Sequence, residues 1–263
     1  MVTLEALGVV TLLLIVVVLF SPVGLGGGLL YVPILHYLAG LPFETAILGS
    51  LALVLCTALG SAQAHRVEQL VDVNCVKLAV MTALPAAIVG SLTSIWVIEQ
   101  VSDVTVKVIA LCLTFWVLYQ TIRRMQTDSE MTEGELEPKT YRIGTGIGGF
   151  ACGLLGVGGG SIYVTMNRGW GGLGVRDSAG TSFAIASMVV PIAIATHSIA
   201  RGLGELADVE VVLLILTPIL ALTFAYLGGK YSVKYLPTTA ITWVFITMVS
   251  LSLLRYLTDL ISA

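Results

Sequence analysis

The stretch Gly24-Leu25-Gly26-Gly27-Gly28-Leu29-Leu30-Tyr31-Val32 recurs 132 positions later as Gly156-Val157-Gly158-Gly159-Gly160-Ser161-Ile162-Tyr163-Val164. Four glycines, the tyrosine and the valine coincide in one register. At the same offset Ser50 faces Ser182 and His65 faces His197, while Pro85 and Pro218 correspond with one residue of slippage. A chance likeness of two glycine-rich segments would not bring serine, tyrosine and histidine along in one register, so the chain reads as an internal duplication. Glycine costs about 1 kcal/mol per residue in a helix interior relative to alanine. Four within five positions, twice, predict two interrupted helices.

What surrounds the breaks sets the solvent. Of 263 residues, 57% are apolar and 11% are charged, against about 25% charged in an ordinary soluble domain. The mean hydropathy is +0.97. Thirteen Lys and Arg with sixteen Asp and Glu cannot coat a soluble surface, which excludes a soluble enzyme, and a net charge of −3 gives no sign of nucleic acid. Apolar runs recur at approximately 4–22, 28–41, 43–65, 76–98, 104–122, 142–156, 159–167, 178–200, 209–228 and 236–257. Those near twenty residues suffice to cross a bilayer core of about 30 Å. The runs 28–41, 142–156 and 159–167 are short for a crossing. The first run lacks the positive flank of a signal peptide and reads as a retained membrane segment.

The polar stretch from Arg123 to Arg142 divides the chain into 1–122, a linker 123–141, and 142–263. Each half holds five apolar runs. An odd number makes the second half enter from the opposite side, so the expected fold is all-α and polytopic, with two inverted-topology repeats and glycine-broken helices. With the linker in the cytoplasm, that side holds ten Lys and Arg and the other holds Lys107, Arg201 and Arg255. The bias predicts a multi-pass protein of the cell membrane with both termini outside and the 123–141 loop cytoplasmic.

Broken backbone survives at membrane depth only inside protein or around a wet cavity. Half-helices starting near Gly28 and Gly160 would aim N–H groups and positive dipole ends at the breaks from opposite sides, an anion site without a buried Lys or Arg. Gly26, Gly27, Gly28, Gly158, Gly159 and Gly160 are therefore candidate substrate-lining positions. Close helix packing is the other reading. A phosphate-binding P-loop is disfavoured, because no Lys-Ser/Thr follows either cluster. Two helix ends of roughly half a charge each balance a monoanion better than a dianion.

No Asp, Glu, Lys or Arg sits deep in a run. Ser50, Ser182, Thr181 and Ser161 offer hydroxyls that line a site or bond back to their own helices. Tyr31 and Tyr163 follow the breaks and either hydrogen-bond an anion or pack. His65 and His197 are candidates for proton coupling, with an interfacial, silent role as the alternative. His36 and Asn167 are weaker candidates. Cys56, Cys75, Cys112 and Cys152 show no paired spacing and read as small hydrophobes. No metal-ligand cluster, cofactor motif or catalytic constellation is legible.

The two glycine clusters resemble the signature of the TauE/SafE family of sulfite and organosulfonate exporters. The stretch Ala179-Gly180-Thr181-Ser182-Phe183 resembles the family's small-residue TS motif. His65 and His197 fall where members carry histidine, followed by Asp72 and Asp208. The resemblance covers essentially the whole chain and implies a membrane transporter, not an enzyme, that exports a small sulfur-containing anion across the lipid bilayer. The first half departs from the pattern at Gly49, where threonine would precede Ser50. A carrier of another small organic anion, such as a carboxylate, and a non-transport membrane protein are the rival expectations.

Overall fold

A computed structural model describes residues 4–127, 135–202, 212–232 and 238–262. Among them every element is helical and none is a strand. In chain order these are α1 (Leu4–Phe20), α2 (Gly28–Pro33), α3 (Phe43–Val67), α4 (Val73–Gln100) and α5 (Asp103–Thr127), then α6 (Pro138–Leu155), α7 (Gly160–Gly169), α8 (Val175–Arg201), α9 (Thr217–Leu227) and α10 (Thr238–Ser262). A π-helical turn, Ile34–Leu38, prolongs α2, and two more, Val212–Leu216 and Gly228–Ser232, flank α9. The protein is thus an all-α, polytopic membrane protein. Four described segments are long and apolar enough to cross a bilayer: Phe43–Val67, Val73–Gln100, Val104–Arg123 and Val175–Arg201.

The apolar runs map onto helices one for one, and the helices outrun them where polar residues follow. α5 continues through Thr127, and α6 begins at Pro138, so both ends of the polar stretch are helical. At 18 residues, α6 is about 27 Å long and nearly spans the core, which the short run 142–156 did not suggest. Proline suits this start, because the first turn needs no N–H from it. The Asp72 carboxylate accepts the Cys75 N–H at 2.7 Å and caps α4. Gly202, at φ 79°, ends α8. Asp208 lies outside the described residues.

At the centre, α3 packs on α8 and α9, and α4 packs on α6 and α8. α4 and α6 approach with backbones nearly touching. A Cβ on Gly149 or Gly153 would overlap the carbonyls of Ala83 or Ala87, and one on Gly90 would overlap that of Phe150. Such contact is how helices associate where lipid is as apolar as the side chains. Outward, Met81, Trp96, Phe115, Ile143 and Leu251 are exposed, an apolar coat suited to hydrocarbon.

Candidate functional site

Both glycine clusters break their helices, and they meet. α1 stops at Phe20 and α2 starts at Gly28; α6 stops at Leu155 and α7 starts at Gly160. The residues preceding α2 and α7, Gly27 and Gly159, both sit at φ 69°, a left-handed geometry in which an L side chain would be strained. Neither helix has a side-chain cap, so its first N–H groups lack intrahelical partners. The Cα of Gly28 lies against the Val157 carbonyl, where a Cβ would overlap it. A Cβ on Gly160 would lie 3.0 Å from the Leu25 carbonyl oxygen. Gly28 and Gly160, and Leu25 and Val157, are each 132 residues apart, so the two breaks grip each other reciprocally.

Two serines complete the exchange. The Ser50 hydroxyl, on α3, donates to the Gly156 carbonyl at 2.7 Å. The Ser182 hydroxyl, on α8, lies 2.9 Å from the Gly24 carbonyl and 3.0 Å from the Gly160 carbonyl, with one proton to share between them. Each serine thus crosses to the break of the other half. Both are fully buried. In hydrocarbon a stray carbonyl is costly, so these bonds stabilise the interrupted backbone.

Tyr31 and Tyr163 fold back over the glycines that precede their own helices. Missing Cβ atoms on Gly27 and Gly159 leave room for the respective rings. The Tyr31 hydroxyl meets the Thr57 hydroxyl at 3.1 Å. The Tyr163 hydroxyl is fully buried and has no hydrogen-bond partner among the described residues. Ser161 is buried in the first turn of α7. A Cβ on Gly26 would lie 3.9 Å from the Phe183 ring edge, and one on Gly158 would overlap Val54.

The remaining sequence candidates do not take part in the glycine contact itself. The Thr181 hydroxyl accepts the Asp72 N–H at 3.0 Å, tying α8 to the α3–α4 turn. His65, in the last turn of α3, meets the Ser61 carbonyl through Nδ1 at 2.8 Å; its Nε2 and the Ser61 hydroxyl have no partner among the described residues. His197, on α8, uses Nε2 to meet the Gly153 carbonyl at 2.8 Å, just before the second break. His36 meets the Leu41 carbonyl at 2.8 Å and stacks edge-on with Phe43. Asn167 accepts from the Tyr141 hydroxyl at 2.6 Å and donates to the Ser178 carbonyl at 3.0 Å, clamping α6, α7 and α8 together.

Sequence reasoning missed Thr57, whose signal was only one hydroxyl among many in an apolar run, and the ion pairs of Arg201. That guanidinium pairs with Glu44, in the first turn of α3, and lies 4.0 Å from Glu99. Among the described residues no His, Cys, Asp and Glu group could hold a metal ion.

The profile of the family described as "Sulfite exporter TauE/SafE" matches residues 9–256. A "Probable membrane transporter protein" of Haemophilus influenzae is 27% identical over 190 residues, covering 69% of each chain. No solved structure matches. With the family profile running through both glycine breaks and nearly the whole chain, this protein belongs to the TauE/SafE sulfite exporter family of membrane transporters.

Proposed function

We propose that the chain is a secondary transporter that exports a small sulfur-containing monoanion, hydrogensulfite or an organosulfonate, through a site formed where the two breaks part. It works as a carrier and performs no covalent chemistry. The observation that carries this reading is the meeting of two uncapped helix N-termini at reciprocal glycine contacts. Each terminus contributes roughly half a positive charge, so a monoanion between them is balanced without a lysine or arginine. The closed contact of Gly28 with the Val157 carbonyl leaves no space for a ligand, so admission requires the breaks to separate. Gly26, Gly158, Ser161 and Tyr163 then line the opening, and Ser50 and Ser182 exchange a carbonyl for a substrate oxygen.

The two halves act as inverted repeats, 1–122 and 142–263, joined by the cytoplasmic 123–141 linker, with both termini outside. Reciprocal bonds, Ser50 to Gly156 and Ser182 to Gly24, in which the serines and the glycines are each related by the 132-residue offset, support that arrangement, as does the charge bias along the chain. Single cysteines in place of Lys139 and Ser102, in a background freed of the four native cysteines, should react with an impermeant reagent from opposite sides of intact cells. Reaction from one side would overturn the orientation. His65 and His197 carry the proton if export is coupled to a pH gradient.

The test is flux into and out of liposomes holding only the purified protein, with sulfite, methanesulfonate, sulfate and acetate compared. Sulfite and methanesulfonate should move and sulfate lag. Faster sulfate would overturn the charge-balance argument, and acetate alone would make the protein a carboxylate carrier. Gradient-driven flux should vanish when His65→Gln and His197→Gln are combined; its survival removes histidine from the mechanism.

A further inference from the structure

Arg201 is a largely buried anion-binding side chain that the meeting of the breaks does not use. It stands in the last turn of α8, and its partner Glu44 stands in the first turn of α3. Both positions favour the charge placed there, because helix dipoles are negative at C-termini and positive at N-termini. The Arg201 side chain is 8% exposed, Glu44 27% and Glu99 54%. Among the described residues two carboxylates, those of Glu44 and Glu99, stand beside this one guanidinium.

Directly beneath lies a crevice lined by Glu44, Ile47, Ser94, His197 and Arg201, too narrow in this structure for a water molecule. It leads toward the second break by shared neighbours. The Ile47 backbone packs on Gly156, one turn before Ser50 bonds to that residue. His197 bonds to the Gly153 carbonyl. The Ser94 hydroxyl, buried on the crevice wall, has no partner among the described residues, nor does Ser91 one turn earlier on α4. An unsatisfied buried hydroxyl is costly in a closed wall and useful in one that opens to a polar guest.

We propose that the Arg201 guanidinium is a second anion subsite, at the mouth of the path to the second break, and that the Glu44 carboxylate occupies it as an internal stand-in for the substrate. This rests on the reading that the chain carries small sulfonate-like anions. The fork of guanidinium N–H groups that pairs with two carboxylate oxygens pairs equally with two oxygens of a sulfonate. An anion at this mouth, the outer end of the export path, therefore competes with Glu44. When it wins, α3 and α8 lose their tie at this end, and the crevice is free to widen toward the break. Glu99 raises the negative charge at the mouth, so a weakly bound anion fails to unseat Glu44.

The experiment labels arginine with phenylglyoxal on the intact, purified chain and maps Arg201 by peptide mass spectrometry. In the parent, Arg201 should react slowly. In Glu44→Gln it should react several-fold faster, and methanesulfonate should slow it again at a concentration where chloride does not. Loss of that protection, while the parent still carries methanesulfonate into liposomes, overturns the subsite and leaves the transport reading intact. Protection without flux of any sulfonate or sulfite keeps the subsite and overturns the transport reading. A second arm guards against a misfolded Glu44→Gln. Arg201→Lys keeps the charge but not the fork, so its KM for methanesulfonate should rise about tenfold, more than its maximal rate falls. An unchanged KM overturns the proposal.

Discussion

The first and second glycine breaks share a motif and differ in their surroundings. After the first, α2 lasts six residues, the last of them Pro33, before a π-helical turn; after the second, α7 continues regularly for ten. At the first, Tyr31 is hydrogen-bonded to Thr57, and His65 meets the Ser61 carbonyl of its own helix. At the second, the Tyr163 hydroxyl has no partner among the described residues, while His197 reaches across to the α6 backbone. Side-chain ties to backbone carbonyls thus gather at the second break, while the tyrosine hydroxyl is paired at the first. Duplicated sequence produces duplicated breaks, whereas the residues packed around them decide which is firmly held and which keeps a polar group in reserve.

The largest expected effect comes from filling the contact itself. Gly28→Leu and Gly160→Leu should each reduce liposome flux to the protein-free background. Normal flux in both would make the glycines packing devices and move the site elsewhere. Alanine sharpens the comparison. On Gly28 a methyl overlaps the Val157 carbonyl, whereas on Gly160 it sits 3.0 Å from the Leu25 oxygen, a contact that a small shift relieves. Gly28→Ala should therefore cost about 1–3 kcal/mol of stability, the range for overpacking, and Gly160→Ala clearly less. Thermal unfolding in detergent reads the difference, and the reverse order would contradict the geometry.

Much of this was legible beforehand because hydrocarbon imposes it. Ten apolar runs became helices, since a bilayer leaves the backbone no cheaper way to satisfy its N–H and C=O groups. The breaks were legible because clustered glycine has no stable helical alternative. Pairing through space was not. Ser50 reaches Gly156 over 106 residues and Ser182 reaches Gly24 over 158. An offset between repeats aligns equivalent residues; it does not say that a serine bonds to the opposite repeat. Glu44 carried no signal either: one carboxylate at the edge of an apolar run looks like any interfacial charge until Arg201 is found beside it.

The serines come next in size. Ser50→Ala removes one donor from one carbonyl and should cost about 1 kcal/mol, the net worth of a typical buried hydrogen bond. Ser182→Ala strips the donor shared by two carbonyls, one in each break, and should cost more, up to about 2 kcal/mol. Unfolding midpoints of the two variants, in one detergent, decide the order. A larger loss in Ser50→Ala would mean that the Gly156 carbonyl carries more of the closed contact than Gly24 and Gly160 together.

The smallest effect on stability separates the tyrosines. Tyr31→Phe gives up the bond to Thr57 and leaves that hydroxyl buried, so about 1 kcal/mol should be lost. Tyr163→Phe removes a hydroxyl with nothing to bond, and stability should hold or rise slightly. Substrate binding should respond the other way round. If the second break opens to admit an anion, the Tyr163 hydroxyl is the donor already waiting in its wall, and Tyr163→Phe should weaken methanesulfonate binding while Tyr31→Phe leaves it near the parent. Paired calorimetry of unfolding and of ligand binding distinguishes the cases. A Tyr163→Phe variant that is both as stable and as tight-binding as the parent would reduce the unpartnered hydroxyl to a tolerated packing cost and make the two breaks equivalent after all.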